Sequence, residues 1–380
     1  MKKQNKEIKI QDHQLSISYL SVWIKLIRQN KIDKKKMATR IWLFLIGTLI
    51  FQWLQRIIFN WRIKKMDIFS KPPFFILGHW RSGTTHLHYI FAHDKQFAYL
   101  SNYQAFLINV SLIGRTWLKW LLSPLMPHKR PQDNIPMHVN YPAEEEQPFS
   151  NISIRSGFHS FYFPKNISYH DRFNLFKGIK PRGKRLWKRD YIYLLKLIAY
   201  INGNGKLLLK NPHNTSRIKE LVSIFPQSKF LFIHRNPYQV FHSSRHLYQK
   251  AISTQFLQDF SEAEIEDRVF YNFESTLSRY LQYRELVPKE NLLEIGFDEL
   301  DKNTWPTIER IYEELNLGGL EDARPNINKY LESVKDYEKN VFPDLTPNII
   351  ERINKEWDFA FKAWNYDKVD PNTREILNKL

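Results

Sequence analysis

The chain of 380 residues contains no cysteine. That absence excludes a disulfide scaffold, a Cys-rich zinc site, a thiol nucleophile and an iron–sulfur cluster, and it fits a reducing compartment. The sequence also lacks internal repeats, low-complexity tracts and any clustered metal-ligand pattern. A long uninterrupted apolar run is missing too. The best candidate, Ile41 to Phe51 with Gly47 and Thr48 counted in, is broken by Gln52, Gln55 and Arg56; a spanning helix needs about 20 apolar residues. It lies too far from Met1, with no small-residue cleavage site, to be an ordinary signal peptide.

Positive charge and aromatic surface are plentiful. Lys and Arg number 57 against 39 Asp and Glu, a formal net charge of +18, and aromatics make up 15 % of residues. Such a balance points to an anionic partner: nucleotide, nucleic acid or lipid headgroup. Residues 1–70 hold 15 Lys/Arg and 4 Asp/Glu, and so 11 of the 18 net charges. The uneven distribution weakens a nucleic-acid reading and marks residues 1–70 as a basic, apolar-aromatic helical extension of a main domain at 71–380. For residues 41–59 three readings stay open. The segment is a helix packed on the main domain, a helix lying in a membrane surface with Trp42, Phe44, Phe51 and Trp53 among its apolar residues, or a true span.

From Lys71 onward, short apolar runs alternate with helical periodicity. Strands are expected at Phe74–Leu77, Lys206–Leu209, Lys229–His234 and Leu292–Phe297. Helices are expected at about Thr84–Ala92, Gly183–Ile201, Ser216–Phe225, Pro237–Gln249, Glu262–Leu286, Trp305–Leu315 and Asn348–Trp364, with a short one opening at Ala143. The alternation predicts an α/β fold with a mainly parallel central sheet between helices. Between the helix ending near Ala92 and Ala143, Pro124, Pro127, Pro131, Pro136 and Pro142 rule out long elements.

In PPFFILGHWRSGTTHLHYI a buried strand ends at Gly78, small and basic residues follow, and Thr84-Thr85 start a helix. Backbone N–H groups and a positive helix end make an anion cradle there. Gly78 and Gly83 have the glycine spacing of the nucleotide P-loop, but Thr84 stands where an NTPase needs Lys, and Arg81 is the only cation in the loop. Ordinary ATP or GTP hydrolysis is therefore disfavoured. A second cradle is suggested by KFLFIHRNPYQVFHSSRHLY. Arg235 ends a strand, Pro237 opens a helix, and the Ser243 hydroxyl is positioned to join the Arg235 guanidinium on one phosphate.

Taken in order, GHWRSGTT, RPQDNIPM, PAEEEQPF, LLLKNPH, RNPYQVFHSS, LGGLEDARP and KDYEKN resemble the bacterial branch of the P-loop sulfotransferases, which use 3′-phosphoadenosine-5′-phosphosulfate (PAPS). The resemblance implies a P-loop-type three-layer fold. It implies that Arg81, Ser82, Gly83, Thr84 and Thr85 cradle the 5′ end of the donor and that Arg235 and Ser243 hold its 3′-phosphate. Lys210 would neutralise the leaving phosphosulfate bridge, and Lys339 is a further nucleotide candidate beside its ordinary reading as a solvated lysine. Many members place Trp after Thr-Thr to stack on adenine; here it is His86, which leaves that platform open to Trp80 or another aromatic. Phe297 replaces a common Tyr, so any hydroxyl role there is lost.

Sulfuryl transfer needs positioned cations and amides and no metal. A hydroxyl acceptor also needs a base. The candidates are Glu144, Glu145 and Glu146, which cannot all face one site on a helix, and His213 near Lys210. Glu144 and Glu146 best match the family's pattern. The expected enzyme moves a sulfuryl group from PAPS to a small-molecule hydroxyl, a lipophilic alcohol (sterol or lipid) or a carbohydrate, in the cytoplasm, with peripheral contact of residues 1–70 on the inner face of the membrane and no nucleic-acid partner. The rival readings are a P-loop nucleotide kinase or NTPase and a non-catalytic basic membrane-binding protein.

Overall fold

The computed structural model describes residues 13–115, 117–125, 129–130, 132–133, 135–203, 205–338, 340 and 342–371. Its centre is a five-stranded sheet: β1 (Phe74–Leu77), β2 (Phe97–Tyr99), β3 (Lys206–Lys210), β4 (Lys229–His234) and β5 (Leu292–Gly296), in the order β2-β3-β1-β4-β5. Every pairing in it is parallel. The strands read as continuous apolar runs because helices cover both sheet faces. Alternation then divides their side chains between two cores. Phe75, Leu77, Leu207, Leu209, Phe230 and Phe232 pack on one face, and Phe74, Ile76, Leu208, Leu231, Ile233 and Ile295 on the other, as a two-residue period requires. The fold is the expected three-layer α/β arrangement.

The chain leaves β1 through the helix Thr84–Ala92, reaches the edge strand β2, returns through the helix Pro181–Asn202 to β3, and then crosses over β1 to β4. Direction reverses around β1, so the carboxyl ends of β3, β1 and β4 open onto one crevice. Ligands of open parallel sheets bind at such a place.

The structure differs from the sequence expectations in several elements. No helix opens at Ala143. Pro142 bridges Ser101 and the Ala143 N–H donates to the Leu100 carbonyl (2.8 Å), so this stretch is tied to the end of β2 and the helix begins at Glu146. The helix expected at Ser216–Phe225 runs over Ile218–Ile224, and a separate short helix, Pro212–Ser216, precedes it, with the buried Arg217 at the joint. The last helix divides at Trp357. β2 and the helix Leu320–Ser333 were not foreseen.

Helices Leu20–Gln29 and Lys35–Lys65 precede the sheet. Their Trp23, Leu26, Ile41, Leu45 and Ile63 join the same apolar core as Phe75 and Leu209, so packing is continuous across residue 70.

Candidate active site

β1 ends at Gly78, whose φ of +148° and lack of a side chain are both required: a Cβ would lie 2.6 Å from the Ile233 carbonyl of β4. Thr215 clamps this turn, donating to the Gly78 carbonyl (3.0 Å) and accepting from its N–H (2.8 Å). Arg81 then takes a left-handed φ of +71°, and Gly83, at +97°, caps the helix Thr84–Ala92 with no room for a Cβ beside the Phe297 ring. The first N–H groups of that helix lack intrahelical partners by geometry. The loop thus presents amides and a helix N-terminus at the mouth of the crevice, as a phosphate cradle requires.

The second expected cradle meets the first. The Arg235 guanidinium donates to the Arg81 carbonyl (3.1 Å) and the Gln239 side chain (2.7 Å). The Arg81 Nε donates to Ser243 Oγ (2.8 Å). Arg81, Arg235 and Ser243 therefore form one cluster of two guanidinium groups and a hydroxyl. Phe297 lies 4.1 Å beneath the Arg235 guanidinium, so the ring that lacks a hydroxyl supports the cation through its face. Burial and the nearby Arg81 push Arg235 down to about 10, which leaves it charged at neutral pH.

Lys210, at the end of β3, is buried, and its ammonium faces the Glu144 carboxylate and Thr85 Oγ1 (3.4 Å). Burial pulls it below its ordinary value, with Glu144 opposing. Arg130 reaches the same hydroxyl (3.2 Å). Asp133 lies between Arg130 (3.3 Å) and Arg81 (2.6 Å); although burial works against ionisation, the two guanidinium groups hold its carboxyl below the usual range. Tyr337 donates to the Asp133 carbonyl (2.7 Å) and Asn340 to that of Gln132 (3.0 Å), so the C-terminal region braces this loop.

The three adjacent glutamates have three different environments. Glu144 keeps 23 % of its side-chain surface exposed. Glu146 is fully buried. It accepts from Arg217 (2.9 Å), Ser156 (2.7 Å), the Gly157 N–H (2.8 Å) and Asn211 (2.8 Å). Burial alone would raise its pKa, but Arg217 holds it well below the usual range. A carboxylate so enclosed reaches no acceptor; it ties the glutamate turn to the segment after β3 and so sets Glu144 beside Lys210. Glu145 accepts from Asn214 (2.6 Å) and Tyr191 (3.1 Å), and burial pushes it up to about 7.

Glu145 gives a stability prediction. The folded state holds its proton more tightly than the unfolded chain, so this group's contribution is complete below about pH 4.5 and is lost as pH rises through about 7. Urea midpoints of the wild type should fall between about pH 5 and about pH 8, with a cost on the order of a few kcal/mol. Glu145→Gln should flatten that limb, and an unaltered pH profile would remove Glu145 as its cause.

The remaining expected residues are placed as follows. Ser82 and Thr84 are buried in the loop wall. His213 is buried against Trp80 (4.7 Å), Phe158 (5.5 Å) and Phe161 (5.6 Å), and burial lowers it to about 3, which makes it a neutral wall residue and a weak base. Trp80 packs edge-on against His79 (5.2 Å), Phe161 (5.8 Å) and His213 (4.7 Å) and stays half-buried. His86 lies beside Tyr330, with Nδ1 3.1 Å from its hydroxyl. Lys339 lies outside the described residues.

Sequence reasoning missed Arg130, Asp133 and the support of Arg235 by Phe297. RPQDNIPM carried the first two, but a proline-punctuated loop has no periodicity to show which way its side chains turn.

Known proteins resemble the chain over most of its length. The model of the Sulfotransferase family matches residues 72–322. The chain is 26 % identical over 361 residues to omega-hydroxy-beta-dihydromenaquinone-9 sulfotransferase Stf3 of Mycobacterium bovis and of Mycobacterium tuberculosis, covering 94 % of this chain and 92 % of each relative. Two crystal structures share the fold. Sulfotransferase STF1 from M. tuberculosis H37Rv has a TM-score of 0.61 at 18 % identity, covering 82 % of this chain and 85 % of that one. STF9 from Mycobacterium avium has 0.63 at 15 %, covering 94 % and 98 %. A family model spanning most of the crevice-forming elements, together with a relative matched almost end to end, settles the class: the chain belongs to the sulfotransferase family and is a transferase of that type.

Proposed function

We propose that the enzyme transfers a sulfuryl group from PAPS to the hydroxyl of a lipophilic alcohol, with Glu144 as general base. One observation carries this reading: Lys210 touches both Glu144 and Thr85 at the carboxyl edge of the sheet, beside the Arg81–Arg235–Ser243 cluster. A base, a cation for the leaving oxygen and a double phosphate grip thus converge at one crevice.

In the proposed reaction the acceptor oxygen forms a bond to sulfur as the bond from sulfur to the bridging phosphate oxygen breaks. The bonding pair stays with that oxygen, where Lys210 offsets the developing charge. The acceptor proton passes to the Glu144 carboxylate. Arg81, the loop amides and Thr85 hold the 5′ phosphosulfate, with Arg130 directed to the same point, while Arg235 grips the 3′-phosphate. No metal is required in this scheme.

The half-buried Trp80 and Phe158, beside His213, offer an apolar wall to the acceptor, and Stf3 is named for an omega-hydroxylated menaquinone derivative. Both support a lipid-like alcohol over a carbohydrate, although sugars also stack on aromatic faces. Incubation with PAPS and a chelator, in the presence of a lipid extract or of soluble sugars, should yield SO₃ adducts in the lipid fraction by mass spectrometry. Adducts confined to sugars would overturn the acceptor class, and metal-dependent ATP turnover without adducts would overturn the reaction. Lys210→Ala should lower kcat by roughly 100-fold or more while nucleotide affinity changes only a few-fold; equal losses in both would undo its role at the leaving oxygen.

A further inference from the structure

The helix Lys35–Lys65 is built inside out. Its domain-facing side carries Ile41, Leu45 and Ile63, and also the buried amides of Gln52 and Gln55. Gln55 donates to the Ile108 carbonyl (2.8 Å) and accepts from the Leu112 N–H (2.8 Å). The opposite side carries Leu43, Ile46, Ile50, Trp53, Ile57 and Trp61 at three- and four-residue spacing, with Leu43 66 %, Trp53 58 % and Trp61 65 % exposed. Water does not favour a helix with its glutamines inward and its tryptophans outward, and an exposed apolar patch of this kind marks an interaction surface. The stripe from Leu43 to Trp61 is about 27 Å long at 1.5 Å per residue. Phe51 meets Trp117 edge-on (6.3 Å), which sets the short helix Trp117–Leu122, with Trp120 79 % exposed, beside the stripe.

We propose that this surface is a membrane-binding platform: the helix lies in the plane of an anionic bilayer surface with its outer stripe among the acyl chains. Charge decides the occupant. Residues 34–66 contain no Asp or Glu, whereas Lys35, Lys36 and Arg40 precede the stripe and Arg62, Lys64 and Lys65 close it. Cations at both ends of a tryptophan-bearing apolar face suit a surface of anionic headgroups over hydrocarbon. By length and composition the helix could also cross a membrane. Its inner face, however, is engaged along its length: Trp42 against Trp23 (6.3 Å) near one end, Gln55 on the 108–112 turn, and Phe59 against Tyr200 (6.1 Å) with the Lys64 carbonyl accepting from Lys196 (2.8 Å) near the other. A helix fastened lengthwise to the folded α/β domain lies along a membrane and does not pierce it. The platform stands on this geometry alone; the proposed lipid acceptor explains its use.

The absence of cysteine permits a clean test. Leu43→Cys, Ile50→Cys and Ile57→Cys, each labelled with an environment-sensitive fluorophore, should shift to the blue on vesicles of phosphatidylglycerol and phosphatidylcholine. All three should be quenched alike by shallow spin-labelled lipids. A deep Ile50 probe between shallow flanks would overturn the in-plane geometry. Trp53→Glu with Ile57→Glu should weaken vesicle binding roughly 100-fold while binding of adenosine 3′,5′-bisphosphate stays unchanged. No vesicle binding, or a concentration-dependent dimer abolished by the same pair of substitutions, would overturn the platform in favour of water or of a second copy. Transfer to a short-chain soluble alcohol serves as the separate readout: its loss indicts the proposed reaction and leaves the platform standing.

Discussion

Glu144→Gln should lower kcat by about 10²- to 10⁴-fold, the usual worth of a positioned general base, and leave the affinity for adenosine 3′,5′-bisphosphate within about twofold. The amide keeps the shape of the side chain and removes its capacity to take a proton. Glu144 is the one member of the glutamate run that combines solvent access with contact to Lys210. Glu146→Gln makes the informative contrast. It leaves Arg217 charged and enclosed, so the loss should be one of folding stability, about 3–5 kcal/mol by denaturant titration, with any fall in turnover following from the displaced turn. Full turnover by Glu144→Gln, measured by steady-state kinetics alongside calorimetry, would move the base elsewhere.

Arg235→Ala should weaken binding of the 3′,5′-bisphosphate by roughly 100-fold, because a charge-assisted bidentate contact contributes about 1.5–3 kcal/mol and each 1.4 kcal/mol is tenfold. Adenosine 5′-phosphate, which offers Arg235 no partner, should bind the variant and the wild type alike. Arg235→Lys should recover only part of the loss: an ammonium lacks the planar fork and the stacking on Phe297. Equal weakening for both nucleotides would mean that Arg235 acts by bracing the Arg81 carbonyl and not by touching the 3′-phosphate.

The crevice was legible in sequence because its parts are local. A buried four-residue strand, a glycine turn and a helix start follow one another within Phe74–Ala92, and the physical reason for each residue is contained in that stretch. β4 and its helix repeat the arrangement around Arg235. The glutamates were harder. Whether a helix begins at Ala143 or at Glu146 depends on Ser101 and Leu100, which lie some forty residues earlier and give no local signal. Once those contacts straighten residues 142–143, Glu146 turns inward to Arg217 and Glu144 stays at the crevice. Arg130 and Asp133 were hidden for the same reason: their partners, Thr85 and Arg81, are on another element. For the apolar segment near residue 50, composition leaves packing, surface-lying and spanning open, because it does not show which face the glutamines occupy. β2 escaped notice since three residues carry no period.

The most direct test compares adenosine 3′,5′-bisphosphate with adenosine 5′-phosphate on the wild-type enzyme, by calorimetry in the presence of a chelator. One nucleotide spanning both anion grips requires single-site, metal-independent binding of the bisphosphate, roughly 100-fold tighter than that of the monophosphate. Equal affinities, or binding that appears only when a divalent cation is added, would contradict it.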